Sequence, residues 1–285
     1  MTAAALALVL VAAAAHATWN LVLKKARGGP AFMTLVAMVA TALWAPVAAG
    51  AWIVQSYRFE WIHLLPILAS AAIHTAYFLL LDRGYRFGDL SVVYPLARAT
   101  GPLITLAAAV VLLGERPGPV GVAGALLVVA GAYLLTGNPL KLFSRERPRG
   151  AGFALLTGLT IAAYTLVDKL AVSRFMIPPI VFDWCCLLTR SAMLLPLAGS
   201  AAALAESWRA DRRAILLVAI LSPAAYILVL TALVFTPVSL VAPAREASIL
   251  FGALMGAHFL GERDARRRIV AAAAIVLGIA GLALG

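Results

Sequence analysis

Three arginines stand inside long apolar runs: Arg98, Arg190 and Arg245. On insertion scales an arginine at the centre of a membrane-crossing helix costs roughly 2.5–3.5 kcal/mol. Such residues must face a wet cavity or a paired partner rather than lipid. A guanidinium in that setting suits carboxylates and other acidic groups, which it grips through two parallel hydrogen bonds. Arg98 follows Tyr94 by one helical turn and Ser91 by two, which gives the segment a polar stripe. Arg245 has Glu246 beside it and Ser248 and Gly252 at +3 and +7, and Arg190 follows Asp183 by seven residues. The structural alternative for each Arg is a bond to carbonyls or carboxylates that holds helices together.

Aromatic and polar residues recur at helical spacing elsewhere. His16, Trp19 and Asn20 share one face, His74 and Tyr77 another, Tyr164 and Asp168 a third, and Ser222 and Tyr226 a fourth. If these faces meet, they form an amphipathic pocket, mostly apolar with a few polar anchors. The substrate-binding candidates are therefore Trp19, Asn20, His74, Tyr77, Tyr94, Arg98, Tyr164, Arg190, Tyr226 and Arg245. His16, His74 and Glu246 are the candidates for proton coupling. Pro95, Pro102, Pro223 and Pro243 interrupt apolar runs, and proline removes a backbone donor and bends a helix. Pro95 and Pro243 are the hinge candidates because they occupy matched places in two similar stretches. Trp44, Trp52, Trp61 and Trp208 lie near helix ends or loops and fit an interfacial belt. Glu115 and Glu262 each precede an Arg at a helix end, where a salt-linked turn is the simpler account.

Several chemistries have no support. Cys185 and Cys186 are adjacent, which excludes a disulfide framework, and no metal-ligand spacing exists. There is no Gly-x4-Gly-Lys phosphate loop, no His-Glu-x-x-His and no plausible Ser/His/Asp set. No cofactor, no metal and no enzyme is the expectation. An intramembrane hydrolase and a non-transporting scaffold or sensor are the rival classes.

The elements that must position these residues follow from composition. Of 285 residues 64% are hydrophobic and 12% charged, against roughly 25% charged in a soluble domain. The chain has too few charges to cover a water-facing surface. Helices are predicted near 3–23, 31–54, 61–81, 88–113, 118–137, 151–169, 178–199, 213–233, 238–259 and 267–284. The first basic residue is Lys24, so the apolar N-terminal stretch lacks the charged start of a signal peptide and reads as a retained helix. The net charge of +11 sits in short clusters between apolar runs, a topology pattern that excludes nucleic acid as a partner.

The chain also repeats itself. Ser91 to Arg98 resembles Ser239 to Arg245, and sixteen residues beyond each Arg comes Gly114-Glu115-Arg116 or Gly261-Glu262-Arg263. Sixteen beyond each Glu stands Gly131 or Gly278. This predicts an all-α integral membrane protein of two five-helix repeats, 1–137 and 151–285, joined by a basic linker over 138–150. Because five is odd, the second repeat must enter the membrane inverted. Such repeats are a transporter architecture, with a central cavity between the halves and alternating access to it. Loops after odd-numbered helices hold 16 Lys and Arg, and those after even-numbered helices hold 4. The bias predicts cytoplasmic odd loops and both termini on the outer face.

At these residues the chain resembles the ten-helix EamA-type members of the drug/metabolite transporter superfamily, across nearly its full length. Ala17-Thr18-Trp19-Asn20 is similar to the family's opening motif, and Asp82-Arg83-Gly84-Tyr85 with Ser91 to Arg98 to its helix 3–4 signature. Both Gly-Glu-Arg turns resemble its repeat ends. Among members it looks closest to YddG-like exporters of aromatic and neutral amino acids. The resemblance implies secondary transport without ATP hydrolysis in a bacterial inner membrane, with a small-molecule substrate and a monomer sufficient. The second half departs by lacking a Tyr before Pro243. Small multidrug members carry a carboxylate in helix 1, whereas helix 1 here has only His16. Arginines with aromatics fit zwitterionic amino acids; another acidic or drug-like metabolite, moved in either direction, is the alternative.

Overall fold

The computed structural model describes residues 1–26, 28–87, 90–136, 148–260 and 265–285. The first half holds α1 (Ala3–Lys25), α2 (Pro30–Val54), α3 (Leu64–Phe87), α4 (Leu90–Leu113) and α5 (Pro119–Thr136). The second holds α6 (Pro148–Ser173), α7 (Pro179–Leu194), α8 (Ala201–Phe235), α9 (Val238–Ala244), α10 (Ala247–Leu260) and α11 (Ala265–Leu284). Short 3-10 turns precede α3 at Trp61–His63 and extend α7 at Leu195–Leu197. Among the described residues seven helices are long and apolar enough to cross a membrane, and α5 and α11 are shorter apolar helices. With α9 and α10 making one crossing between them, the chain is an all-helical membrane protein of ten spans.

That ninth span corrects the expectation of one continuous helix over 238–259. Pro243 has no N–H to donate back into the turn before it, and its ring crowds that turn. The backbone leaves the α-helix there. Glu246 N reaches Pro243 O at 3.0 Å, Ser248 N reaches Arg245 O at 3.1 Å, and Ile249 N reaches Glu246 O at 2.9 Å. The eighth helix also differs, since it begins at Ala201 and turns at Asp211, where φ is −126° and ψ is 18°. The basic stretch expected as a loop is thus a helical arm. α6 starts at Pro148, inside the expected 138–150 linker, whose residues 138–147 lie outside the described ones. The second Gly-Glu-Arg turn, with Glu262, also lies outside the described residues.

The inversion is visible in the last helix of each half. A Cβ on Gly124 of α5 would stand 2.6 Å from Gly278 O of α11, and one on Gly131 would stand 2.8 Å from Ala271 O. The helices therefore run antiparallel, close enough that only hydrogen fits between their backbones. Gly131 and Gly278 hold equivalent places in the repeat, as do Gly124 and Ala271 at the same offset. Exchanging the halves therefore turns the first contact into the second, which is the signature of a two-fold axis. Other pairs obey it: α3 packs on α6 as α8 packs on α1, while α2 packs on its own equivalent, α7. Ten crossings bring both termini to one face, where the Met1 ammonium donates to the carbonyls of Leu282 and Ala283, each at 3.2 Å.

Gly124→Val should force α5 and α11 apart and destabilise the protein by about 1–3 kcal/mol, the range for overpacking a closed contact. Gly152→Ala, where an added Cβ meets nothing within 4 Å, should change the detergent-solubilised melting temperature little. Equal melting shifts for the two would contradict the close approach.

Candidate functional site

Between the halves lies a cavity of about 170 Å³. Its wall runs from Ala12 to Leu23 on α1, Met33 to Ala40 on α2, Asp183 to Leu194 on α7 and Val218 to Val229 on α8. Those stretches lie toward the α1–α2 and α7–α8 connections, so the cavity occupies the side of the membrane that carries the odd-numbered loops. The other side is filled by an apolar core that includes Val9, Ile67, Val172, Phe182, Leu233 and Val238. Over that core folds the α2–α3 connection. Its Tyr57 hydroxyl donates to His63 Nδ1 at 2.6 Å, a nitrogen that also accepts Glu60 N, and Phe175 packs edge-on against His63 from the α6–α7 connection. Burial, with Cys185 and Glu60 adding to it, pushes the Tyr57 phenol up to about 12, so it remains a neutral donor. One face is closed.

Most of the residues singled out in the sequence do meet at the cavity. Trp19, His74, Tyr77, Arg98, Tyr164, Arg190, Tyr226 and Arg245 line it, as does His16. Asn20 does not; its amide turns back to donate to His16 O at 2.8 Å, as amide side chains do when no ligand claims them. The side chains of Tyr94 and Pro95 lie outside the described ones, although both residues are helical in α4. The rings form one continuous wall. His74 stacks on Tyr164 with centroids 3.9 Å apart, Tyr77 meets Tyr164 edge-on at 6.1 Å, and Tyr226 meets His74 edge-on at 5.7 Å. His16 lies edge-on to Trp19 at 4.7 Å. The indole nitrogen of Trp19 is buried with no hydrogen-bond partner among the described residues.

The three arginines are not equivalent. Arg98 Nε lies 3.1 Å from Glu246 Oε2, and its Nη2 donates to Ser248 Oγ at 3.1 Å. Arg190 Nη2 lies 3.8 Å from Asp183 Oδ1, and its Nε donates to Cys186 O at 3.4 Å. Arg245 has no carboxylate within 4.0 Å among the described residues. Its guanidinium lies 5.4 Å from the centre of the Tyr226 ring, a cation–π contact that leaves its donors free for a ligand. Glu246, a proton-coupling candidate from sequence, serves here as the partner of Arg98.

Two carboxylates missing from the sequence candidates belong to the site. Asp183 lines the cavity, and Asp168 is fully buried behind it, its Oδ2 accepting the Tyr226 hydroxyl. Their signal was available: an Asp in an apolar run costs as much to insert as an Arg. Two other expectations change. Trp44 is not a belt residue, because its indole donates across to Ala219 O of α8 at 3.2 Å. Glu115 is not confined to a local turn; its carboxylate accepts the amides of Val238 and Ser239 at 2.8 and 2.9 Å, capping the start of α9.

Two inverted five-span halves enclosing a cavity lined by apolar and aromatic side chains with a few charged groups are the architecture of a secondary transporter, which binds its solute between halves that rock against each other. The model of the EamA-like transporter family matches residues 3–137 and again 148–284, so the chain belongs to that family, within the drug/metabolite transporter superfamily. A solved structure described only as the crystal structure of a protein superposes with a TM-score of 0.77 at 20% identity, covering 100% of this chain and 99% of the other. At that identity the likeness shows the fold alone. Comparison with curated proteins finds no match. The chain is a multi-pass membrane transporter, not an enzyme.

Removing one partner of a buried ion pair strands the other at about 3–5 kcal/mol, whereas removing both is often nearly neutral. Arg98→Met and Glu246→Gln should each lower the melting temperature sharply, and the double variant should recover most of the loss. A double variant as unstable as the two losses added would show that the pair is not a unit.

Proposed function

We propose that the protein exports neutral and aromatic amino acids across a bacterial inner membrane by alternating access, with the halves 1–137 and 151–285 as the moving bodies. The observation that carries this reading is Arg245: a guanidinium in the cavity wall without a carboxylate partner, standing over an aromatic ring. A substrate carboxylate would take its donors. Tyr164, His74 and Tyr226 offer ring faces to an ammonium group or an apolar side chain. Size supports the choice, since about 170 Å³ is below the roughly 300–1,000 Å³ of pockets for drug-sized ligands. A nucleotide sugar is too large and too highly charged. Arg190 and Arg98 are read as supporting residues, because Asp183 and Glu246 already face them. Export follows the resemblance to YddG-like carriers, and a monomer contains the whole cavity.

With the basic odd-numbered loops in the cytoplasm, the cavity lies on the cytoplasmic side and the closed face is outward. Both termini are then external. A fluorescent protein that matures only in the cytoplasm should stay dark when fused after Gly285, and bright cells would reverse the assignment.

Purified protein in liposomes, tested by counterflow against a panel of labelled amino acids, addresses the substrate. Arg245→Ala should weaken binding of a carboxylate-bearing substrate roughly 10- to 100-fold, the equivalent of one charge-assisted contact of about 1.5–3 kcal/mol. Membrane insertion should be unaffected. Normal counterflow by Arg245→Ala would remove the anion site from this position.

A further inference from the structure

The most deeply enclosed carboxylate lies one layer behind the cavity wall. Asp168 of α6 has no exposed surface, and its Oδ1 has no hydrogen-bond partner among the described residues. No basic nitrogen of the described residues lies within 4.0 Å of it. Every neighbouring charge has another engagement or stands at a distance. From α7 come Arg190 and Asp183, which face each other, together with Cys186. Arg98 of α4 is held by Glu246, and Lys169, next in sequence, donates to the carbonyls of Leu233 and Thr236. α8 contributes Tyr226, the break before α10 contributes Arg245, whose guanidinium lies 5.4 Å from the centre of the Tyr226 ring, and α3 contributes His74 and Ser70. Tyr164, one turn back on α6, stacks on His74.

A route joins this carboxylate to the cavity. His74 lines the wall; its Nδ1 donates to the Ser70 carbonyl at 2.9 Å and lies 3.3 Å from the Ser70 hydroxyl, which stands beside the Asp168 carboxylate. An ionised carboxylate without a cationic partner costs several kcal/mol in such surroundings. A proton removes the charge, and Ser70 stands where it can accept the new O–H. We propose that Asp168 is the proton-exchanging carboxylate of the transport cycle, reached through His74 and Ser70, and that a proton on it competes with the ammonium group of a bound substrate.

The competition follows from the wall. Tyr164, His74 and Tyr226 separate Asp168 from the cavity, so an ammonium on those rings gains from the carboxylate charge behind them and loses that gain when Asp168 is protonated. By linkage the ammonium must then expel the proton with equal force. A carboxylate on Arg245 acts in the opposite sense, because Arg245 is, with Arg190, one of the positive charges that act on Asp168, and the carboxylate cancels it. The same acid without its ammonium should therefore take protons up on binding, and the amino acid, whose ammonium opposes that uptake, should take up fewer or release them. Exchange of one substrate for one proton suits export against an inward proton gradient; this part rests on the amino-acid reading.

The test uses the purified full-length protein in two arms. Infrared spectra collected across pH without substrate should show a buried carboxyl that titrates, is missing in Asp168→Asn and is shifted in Tyr226→Phe, which lacks the donor to Oδ2. In weakly buffered solution, 4-methylpentanoate should take protons up and L-leucine should take up fewer or release them, the difference reaching up to one proton per molecule bound and vanishing in Asp168→Asn. An infrared titration unchanged in Asp168→Asn, or equal proton counts for leucine and 4-methylpentanoate, overturns the proposal. If leucine does not bind at all, the amino-acid reading fails, and the infrared arm alone decides whether Asp168 exchanges a proton.

Discussion

Hydrocarbon offers no partner to a charge or to an open backbone group, and the architecture follows from where each such group finds one. Part of the pairing runs across the two halves, and part lies within the second. Arg98 in the first half is neutralised by Glu246 and bonded by Ser248 in the second. Glu115, at the end of α4, accepts the first amides of α9, while Lys169 donates to Leu233 and Thr236 where α8 ends. The α8–α9 junction would otherwise expose orphan carbonyls and amides side by side. One carboxylate and one ammonium satisfy both sets. The halves are thus tied by polar contacts that can be broken and remade, whereas an all-apolar seam would offer no discrete alternative.

The fold was legible because it is written in long-range regularities. Apolar runs fix the spans, and the matched Ser–Pro–Arg–Gly-Glu series fixes the duplication. The odd number of spans in each copy then fixes the inversion. Gly131 and Gly278, noticed first as markers of the repeat, prove to be contact points of the closest helix pair. The break at Arg245–Glu246 was not legible, because Pro95 and Pro243 occupy matched positions yet α4 continues where α9 stops. Whether a proline kinks or breaks a helix depends on what can stabilise the freed groups, which is a property of neighbours rather than of the local sequence. Glu115 illustrates the same limit, since its partners are more than a hundred residues away.

The site was legible in its residue types and much less so in its division of labour. Facing stripes on separate helices pointed to aromatics and arginines sharing a cavity, and the cavity wall holds both kinds of residue, since polar groups at that depth have few other places to go. Which arginine keeps its charge available is decided by single interatomic distances. Asp168 entered the sequence reading only as a neighbour of Tyr164, and nothing local shows that Tyr226 of a distant helix bonds to it.

The unequal arginines connect the repeat to its use. Arg98 and Arg245 are equivalents in the duplication, and in an exactly symmetric molecule both would be paired or both open. The tie is broken by one residue: the first half has Ala99 where the second has Glu246. That single carboxylate satisfies Arg98 across the interface and lies next to Arg245 in the chain without pairing to it. Two uncompensated guanidiniums in one small cavity would repel each other and favour a dianion. On the proposed reading, one such group set against a wall of rings matches a solute bearing one carboxylate. The second sequence difference acts on the backbone: the shorter spacing between Pro243 and Arg245 than between Pro95 and Arg98 places the arginine at the break itself. A guanidinium at a helix break can shift with the turn that carries it, whereas Arg98 is held within a continuous helix. The duplication thus supplies two equivalent positions, and two small departures from it leave one paired across the halves and the other without a carboxylate partner among the described residues.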